Sequence, residues 1–121
     1  MEQQEKKIYN LEERTCEFGK RVITFAKSIP RNTITNPLIS QLVRSATSIG
    51  SNYCEADCAE SKKDFEHKLG ICSKEAKETK HWFKMMTVAA PELTEGAKVL
   101  ENEAKELQLI FLAIIRKTKM K

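Results

Sequence analysis

Two histidines, four cysteines and several glutamates are the side chains here that could carry metal or acid–base chemistry. Glu78-Thr-Lys-His81 has the Glu-x-x-His spacing of di-iron bundles, where two such pairs and two more glutamates face each other. The near match, Asp64-Phe-Glu-His67, falls on the same predicted helix. Fourteen residues separate the histidines, about 21 Å along a helix axis. They cannot share a metal within one chain, so solvated histidines are the simpler reading. Cys54 and Cys58 stand four apart on one helix face, and two thiols leave a tetrahedral site incomplete. With Cys16 and Cys72 they read as reduced core or boundary thiols, and none forms Cys-x-x-Cys. Glu75 and Glu78 could make a carboxylate pair, but no further acid, base or nucleophile converges on them. No G-x-x-x-x-G-K-S/T, G-x-G-x-x-G or G-x-S-x-G occurs. No catalytic residue, metal or cofactor is therefore expected, and the chain reads as a non-enzyme.

The elements that must position these residues are helices. The chain has 121 residues, with 40% apolar and 31% charged residues but only 4 Gly and 3 Pro, enough for one domain over 1–121. Leu11, Thr15, Phe18, Val22, Phe25 and Ile29 alternate steps of four and three, one face of a helix over about 11–28. Asn36-Pro37 predicts an N-cap followed by proline at the first helical position, opening a helix to about 59. Its stripe is Ile39, Leu42, Ala46, Ile49, Tyr53 and Ala56. Ser45, Ser48, Gly50 and Ser51 make it thin enough for close backbone approach. Ser61-Lys-Lys-Asp64 reads as a capping box, with Asp in place of the usual Glu, for a helix over 62–89. Its stripe is Phe65, Leu69, Cys72, Ala76, Thr79, Phe83 and Met86. Thr94 is the expected cap of a last helix over 94–118, carrying Ala97, Leu100, Ala104, Leu107, Phe111 and Ile114. Leu109, Ile110, Leu112 and Ile115 exceed what one stripe can bury and suggest a neighbouring or oligomer contact. Four such stripes joined by short links predict an all-α, antiparallel up-down-up-down four-helix bundle.

Two long stretches carry a resemblance. They are Gln41-Leu-Val-Arg-Ser-Ala-Thr-Ser-Ile-Gly-Ser-Asn-Tyr-Cys-Glu-Ala56 and Ser61-Lys-Lys-Asp-Phe-Glu-His-Lys-Leu-Gly-Ile-Cys-Ser-Lys-Glu-Ala-Lys-Glu-Thr-Lys-His-Trp-Phe83. Together they resemble the bacterial four-helix bundle proteins encoded in intervening sequences of 23S ribosomal RNA genes, over about residues 11–117. The resemblance implies a homopentamer. It also implies kinship with the accessory proteins of diversity-generating retroelements, which partner a reverse transcriptase and bind nucleic acid. The family often has Gly where Ala56 stands and Leu where Phe83 stands, both packing exchanges. Arg44, Asn52, Glu55, Glu75, Glu78 and Trp82 match family motif positions. They read as an inter-helix polar set, in which Arg44 pairs with a glutamate and Trp82 fills a boundary pocket, or as a subunit contact.

Charge points the same way. The net charge is +4, and residues 116–121 supply four cations, which leaves a balanced body. Residues 62–84 hold seven Lys and four acids, while residues 92–106 hold five Glu and two Lys. A charge run is usually a solvated face. Repeated around a ring, it becomes a polyanion-binding surface. The expected phosphate contacts are Lys62, Lys63, Lys74, Lys80, Lys84, Arg116, Lys117, Lys119 and Lys121. The competing expectation is a protein-interaction module for a reverse transcriptase or ribosomal component. No stretch is apolar enough for a transmembrane span, and the polar N-terminus suggests a cytoplasmic protein.

Overall fold

Every predicted stripe becomes the buried side of a helix in the computed structural model, which describes residues 10–120. The order is α1 (Leu11–Lys27), α2 (Thr35–Asp57), α3 (Lys62–Ala89), a 3-10 turn (Pro91–Leu93) and α4 (Thr94–Lys119). Among the described residues there is no strand. Phe18, Phe83 and Phe111 are the largest buried side chains, and Leu42, Ile49, Leu69, Met86 and Leu107 fill the space between helices. Burial of stripes that are apolar on one side only is what stabilises helices of this length.

The α3 helix packs along both α2 and α4, and α1 closes the bundle against α2 and more lightly against α4. Bonded pairs fix the relative direction of α2 and α3. Ser45 meets Thr79, Ile49 meets Cys72 and Glu55 meets Lys68, so residue numbers rise on one helix as they fall on the other. The thin middle of α2 lets α1 come close. A Cβ on Gly50 would lie 3.5 Å from the Thr15 carbonyl oxygen, and one on Gly19 would lie 3.8 Å from Thr47 Cα.

Helix caps differ from expectation in two places. Asn36 does not cap α2. Asn32 does, its Oδ1 accepting from the N–H groups of Ile34 and Thr35, each at 2.9 Å. Thr35 Oγ1 returns the favour by accepting from Asn32 N, and it donates to the Pro30 carbonyl at 2.6 Å. This reciprocal box places the cap four residues before Asn36, and α2 starts two residues earlier than Pro37 suggested. Thr94 does not cap α4 either. Its backbone is already helical, and its hydroxyl donates backwards to the Pro91 carbonyl at 2.7 Å. Ser61 does cap α3, accepting from Asp64 N at 3.0 Å.

The cysteines also need correction. Cys72 is buried, but Cys16, Cys54 and Cys58 are exposed. Tyr53 and Ala56 hold the inward positions of α2, so its two thiols fall beside the stripe. Burial pushes the Cys72 thiol up to about 12, and its Sγ donates towards the Ile49 carbonyl.

Gly70 lies on the exposed side of α3, where an added Cβ would meet nothing within 4 Å. Glycine inside a helix costs backbone entropy, so Gly70→Ala is expected to raise unfolding stability by about 1 kcal/mol. Urea denaturation measures this, and a destabilised variant would show that Gly70 does hold the fold.

Candidate functional site

The polar set predicted on α2 and α3 divides in the structure. Arg44 reaches across from α2 to both glutamates of α3. Its Nη1 donates to Glu75 Oε2 at 3.1 Å, its Nη2 donates to Glu78, and its Nε donates to Gln41 on its own helix. Just inside this pair, Thr79 Oγ1 donates to Ser45 Oγ at 2.9 Å in a fully buried contact. Asn52 turns back, donating to the Ser48 carbonyl at 2.8 Å. Glu55 pairs instead with Lys68 at 2.8 Å. Trp82 is half-buried at the boundary, its ring 4.9 Å from that of His81, and its Nε1 is buried without a hydrogen-bond partner. With Glu78 held by Arg44, the Glu-x-x-His pattern supplies no open carboxylate. Among the described residues no three His, Cys, Asp or Glu side chains are placed to hold a metal ion.

Sequence reasoning missed a second ionic contact. Arg14 of α1 makes two parallel hydrogen bonds to the Glu103 carboxylate of α4, both at 2.9 Å, and approaches Glu106 at 3.6 Å. Arg14, Glu103 and Glu106 each precede a stripe residue by one position. Opposite charge at matched offsets on the first and last helices was the available signal. Burial pushes the Glu103 carboxyl up, but the hydrogen bonds and charge of Arg14 outweigh it, so the group titrates below its ordinary value.

The predicted phosphate contacts also divide. Lys62 and Lys117 line one open groove of about 680 Å³ at the end of the bundle, with Phe65 and Ile114 among its apolar walls. Arg116 and Lys119 share the last turn of α4, where the helix dipole favours cations. Lys62 and Lys63 stand in the first turn of α3, where it disfavours them. Asp57 and Glu60 are the acids lining the same groove. Lys63, Lys74 and Lys84 are exposed along α3, and Lys80 is half-buried. Lys121 and the N-terminal residues 1–9 lie outside the described residues.

This helical architecture belongs to a known class. The 23S rRNA-intervening sequence protein family model matches residues 7–112, and the chain belongs to that family. It is similar to a crystal structure of a protein of unknown function from the S23 ribosomal protein family of Bacteroides thetaiotaomicron VPI-5482. The two share 30% identity, with 86% of this chain and 96% of that one covered, and a TM-score of 0.76. No curated protein matches. No helix among the described residues is long and apolar enough to cross a membrane.

The Arg14–Glu103 pair generates a pH prediction. Because Glu103 titrates lower in the folded chain, its contribution is complete above the ordinary glutamate range and is lost as pH falls through the lowered folded value. A double-mutant cycle of Arg14→Ala and Glu103→Ala is expected to give a coupling of about 1–2 kcal/mol at neutral pH, fading in acid. A coupling that grows on acidification would contradict this assignment.

Proposed function

We propose that the chain is a non-enzymatic, cytoplasmic accessory protein that assembles with copies of itself and binds ribosomal or other nucleic acid through phosphate contacts. One observation carries this reading. Basic residues from opposite parts of the sequence, Lys62 and Lys63 on α3 and Arg116, Lys117 and Lys119 on α4, are gathered at one end of the bundle. The cations there stand at the start of α3, where the helix dipole also favours an anion. The family's association with 23S rRNA-intervening sequences supports RNA as the first candidate. Lysine contacts of this kind read phosphate and make binding salt-dependent and sequence-blind.

Retention on structured RNA is expected at low salt and to fall steeply as salt rises. Lys62→Glu combined with Lys117→Glu is expected to lower the log–log salt slope by about two contacts. Absence of retention at low salt would defeat the proposal. For the assembly, light scattering is expected to return the mass of a pentamer, and a monomer would contradict it.

A second reading, a protein-interaction module without direct nucleic-acid contact, draws on α4. Leu109 is 56% exposed and Leu112 39% exposed on its surface. Large exposed aliphatic side chains at neighbouring positions suit a partner helix, from another copy or from a reverse transcriptase or ribosomal protein. A pull-down that recovers protein after nuclease treatment favours this reading.

A further inference from the structure

The outward face of α3 carries a run of basic positions. Lys63, His67, Gly70, Lys74, Lys77, His81 and Lys84 recur at steps of four and three, and all are exposed. No acid occupies any of these positions. The four carboxylates of α3 are Asp64, Glu66, Glu75 and Glu78; none is one of the seven, although Glu66 borders the strip one turn from Lys63 and Gly70. Glu75 and Glu78 are held by Arg44, and Glu66 is half-buried. Lys68, which lies off this face, is spent on Glu55. What remains outward is a strip of four lysines with two imidazoles between them, with exposed Asp64 and half-buried Glu66 beside its first turn and no acid on it from Gly70 to Lys84.

The strip is rigid because the opposite side of α3 is locked. Leu69, Cys72, Ala76, Phe83 and Met86 are fully buried. Lys63 and Lys84 are therefore held about 32 Å apart, close to one turn of a nucleic-acid duplex. The residue types select among polyanions. The seven positions contain no Phe, Tyr or Trp, the usual stacking platforms for single-stranded bases. They contain no Arg, Asn or Gln, which read base edges most often. Lysine and histidine donors serve phosphate oxygens instead. Gly70 supplies an independent observation. It sits near the middle of the strip, in a conformation any residue could adopt, with open space where its Cβ would be. Nothing inside the fold requires glycine there. A missing side chain on an outward face lets an external backbone come close.

We infer that the outward face of α3 is a docking strip for a nucleic-acid duplex, with Lys63, Lys74, Lys77 and Lys84 on the phosphates and Gly70 at the point of closest approach. This deepens the nucleic-acid reading above and rests on it. It adds Lys77, His67, His81 and Gly70 to the interface, and it separates the strip from the groove at the bundle end.

The test is titration of the full chain with a blunt RNA duplex and with one of its single strands, across a salt series. Lys63→Gln/Lys74→Gln/Lys77→Gln/Lys84→Gln is compared with Lys62→Gln/Lys117→Gln, circular dichroism confirming helix content in each. The expected result is tighter binding to the duplex and a salt slope lowered by about four contacts in the four-lysine variant. Gly70→Glu, a single surface change, is expected to weaken duplex binding at least tenfold at low salt. An unchanged slope in the four-lysine variant, with the loss confined to Lys62→Gln/Lys117→Gln, overturns the strip while leaving nucleic-acid binding intact. Tighter binding to the single strand overturns the choice of duplex. No binding by the unmodified chain to either probe overturns both readings together.

Discussion

The contact between α2 and α3 sets how α3 is rotated about its own axis, and most of the surface follows from that rotation. The buried Ser45–Thr79 bond and the reach of Arg44 to Glu75 and Glu78 hold one side of α3 against α2. Each hydroxyl also has a carbonyl of its own helix within reach, Leu42 for Ser45 and Glu75 for Thr79, so the pair gives the seam direction more than it rescues stranded groups. Aliphatic packing alone would tolerate a modest roll of the helix, but these directional bonds do not. With Glu75 and Glu78 drawn to that side, Lys63, Lys74, Lys77 and Lys84 are left on the outward face. Core specificity and surface charge are thus two results of one arrangement.

The first and last helices are joined differently. Packing between α1 and α4 is the lightest of the adjacent pairs, and the Arg14 fork on Glu103 bridges it. Phe25 of α1 also meets the ring of Phe83 edge-on at 5.7 Å, tying α1 to the core helix α3. Gly96 makes room for the same phenylalanine, since a Cβ there would lie 3.1 Å from the ring. The two ends of the α1–α4 line are thus closed by different means, one ionic and one aromatic.

Much of this architecture was legible because helical periodicity is a strong signal when each helix carries a single apolar stripe. The predicted stripe residues are buried apart from Phe25, Tyr53, Phe65 and Ile114, which are half-buried. Of the four helix starts, Leu11, Lys62 and Thr94 match expectation, although Thr94 is not a cap. Asn36-Pro37 misled because the preceding Asn32 and Thr35 close their own box, a three-dimensional solution that a local motif does not reveal. The polar set was partly legible. Arg44, Glu75 and Glu78 meet, while Glu55 and Asn52 find nearer partners on another residue and on their own helix. Which cation serves which anion depends on the pairing of helices, and so did the Arg14–Glu103 contact. Counting charge over residues 62–84 gave the sign of α3 but hid its separation into two sides.

Trp82 gives the molecule an intrinsic optical reporter. It is the one tryptophan in the chain, and it stands half-buried on α3 beside His81, its indole nitrogen out of reach of solvent. Any event that loosens this helix from its neighbours would wet the indole and shift its emission, with no competing fluorophore of the same kind. Ultraviolet light alone can therefore follow the integrity of the helix that bears the lysines, without a label being attached.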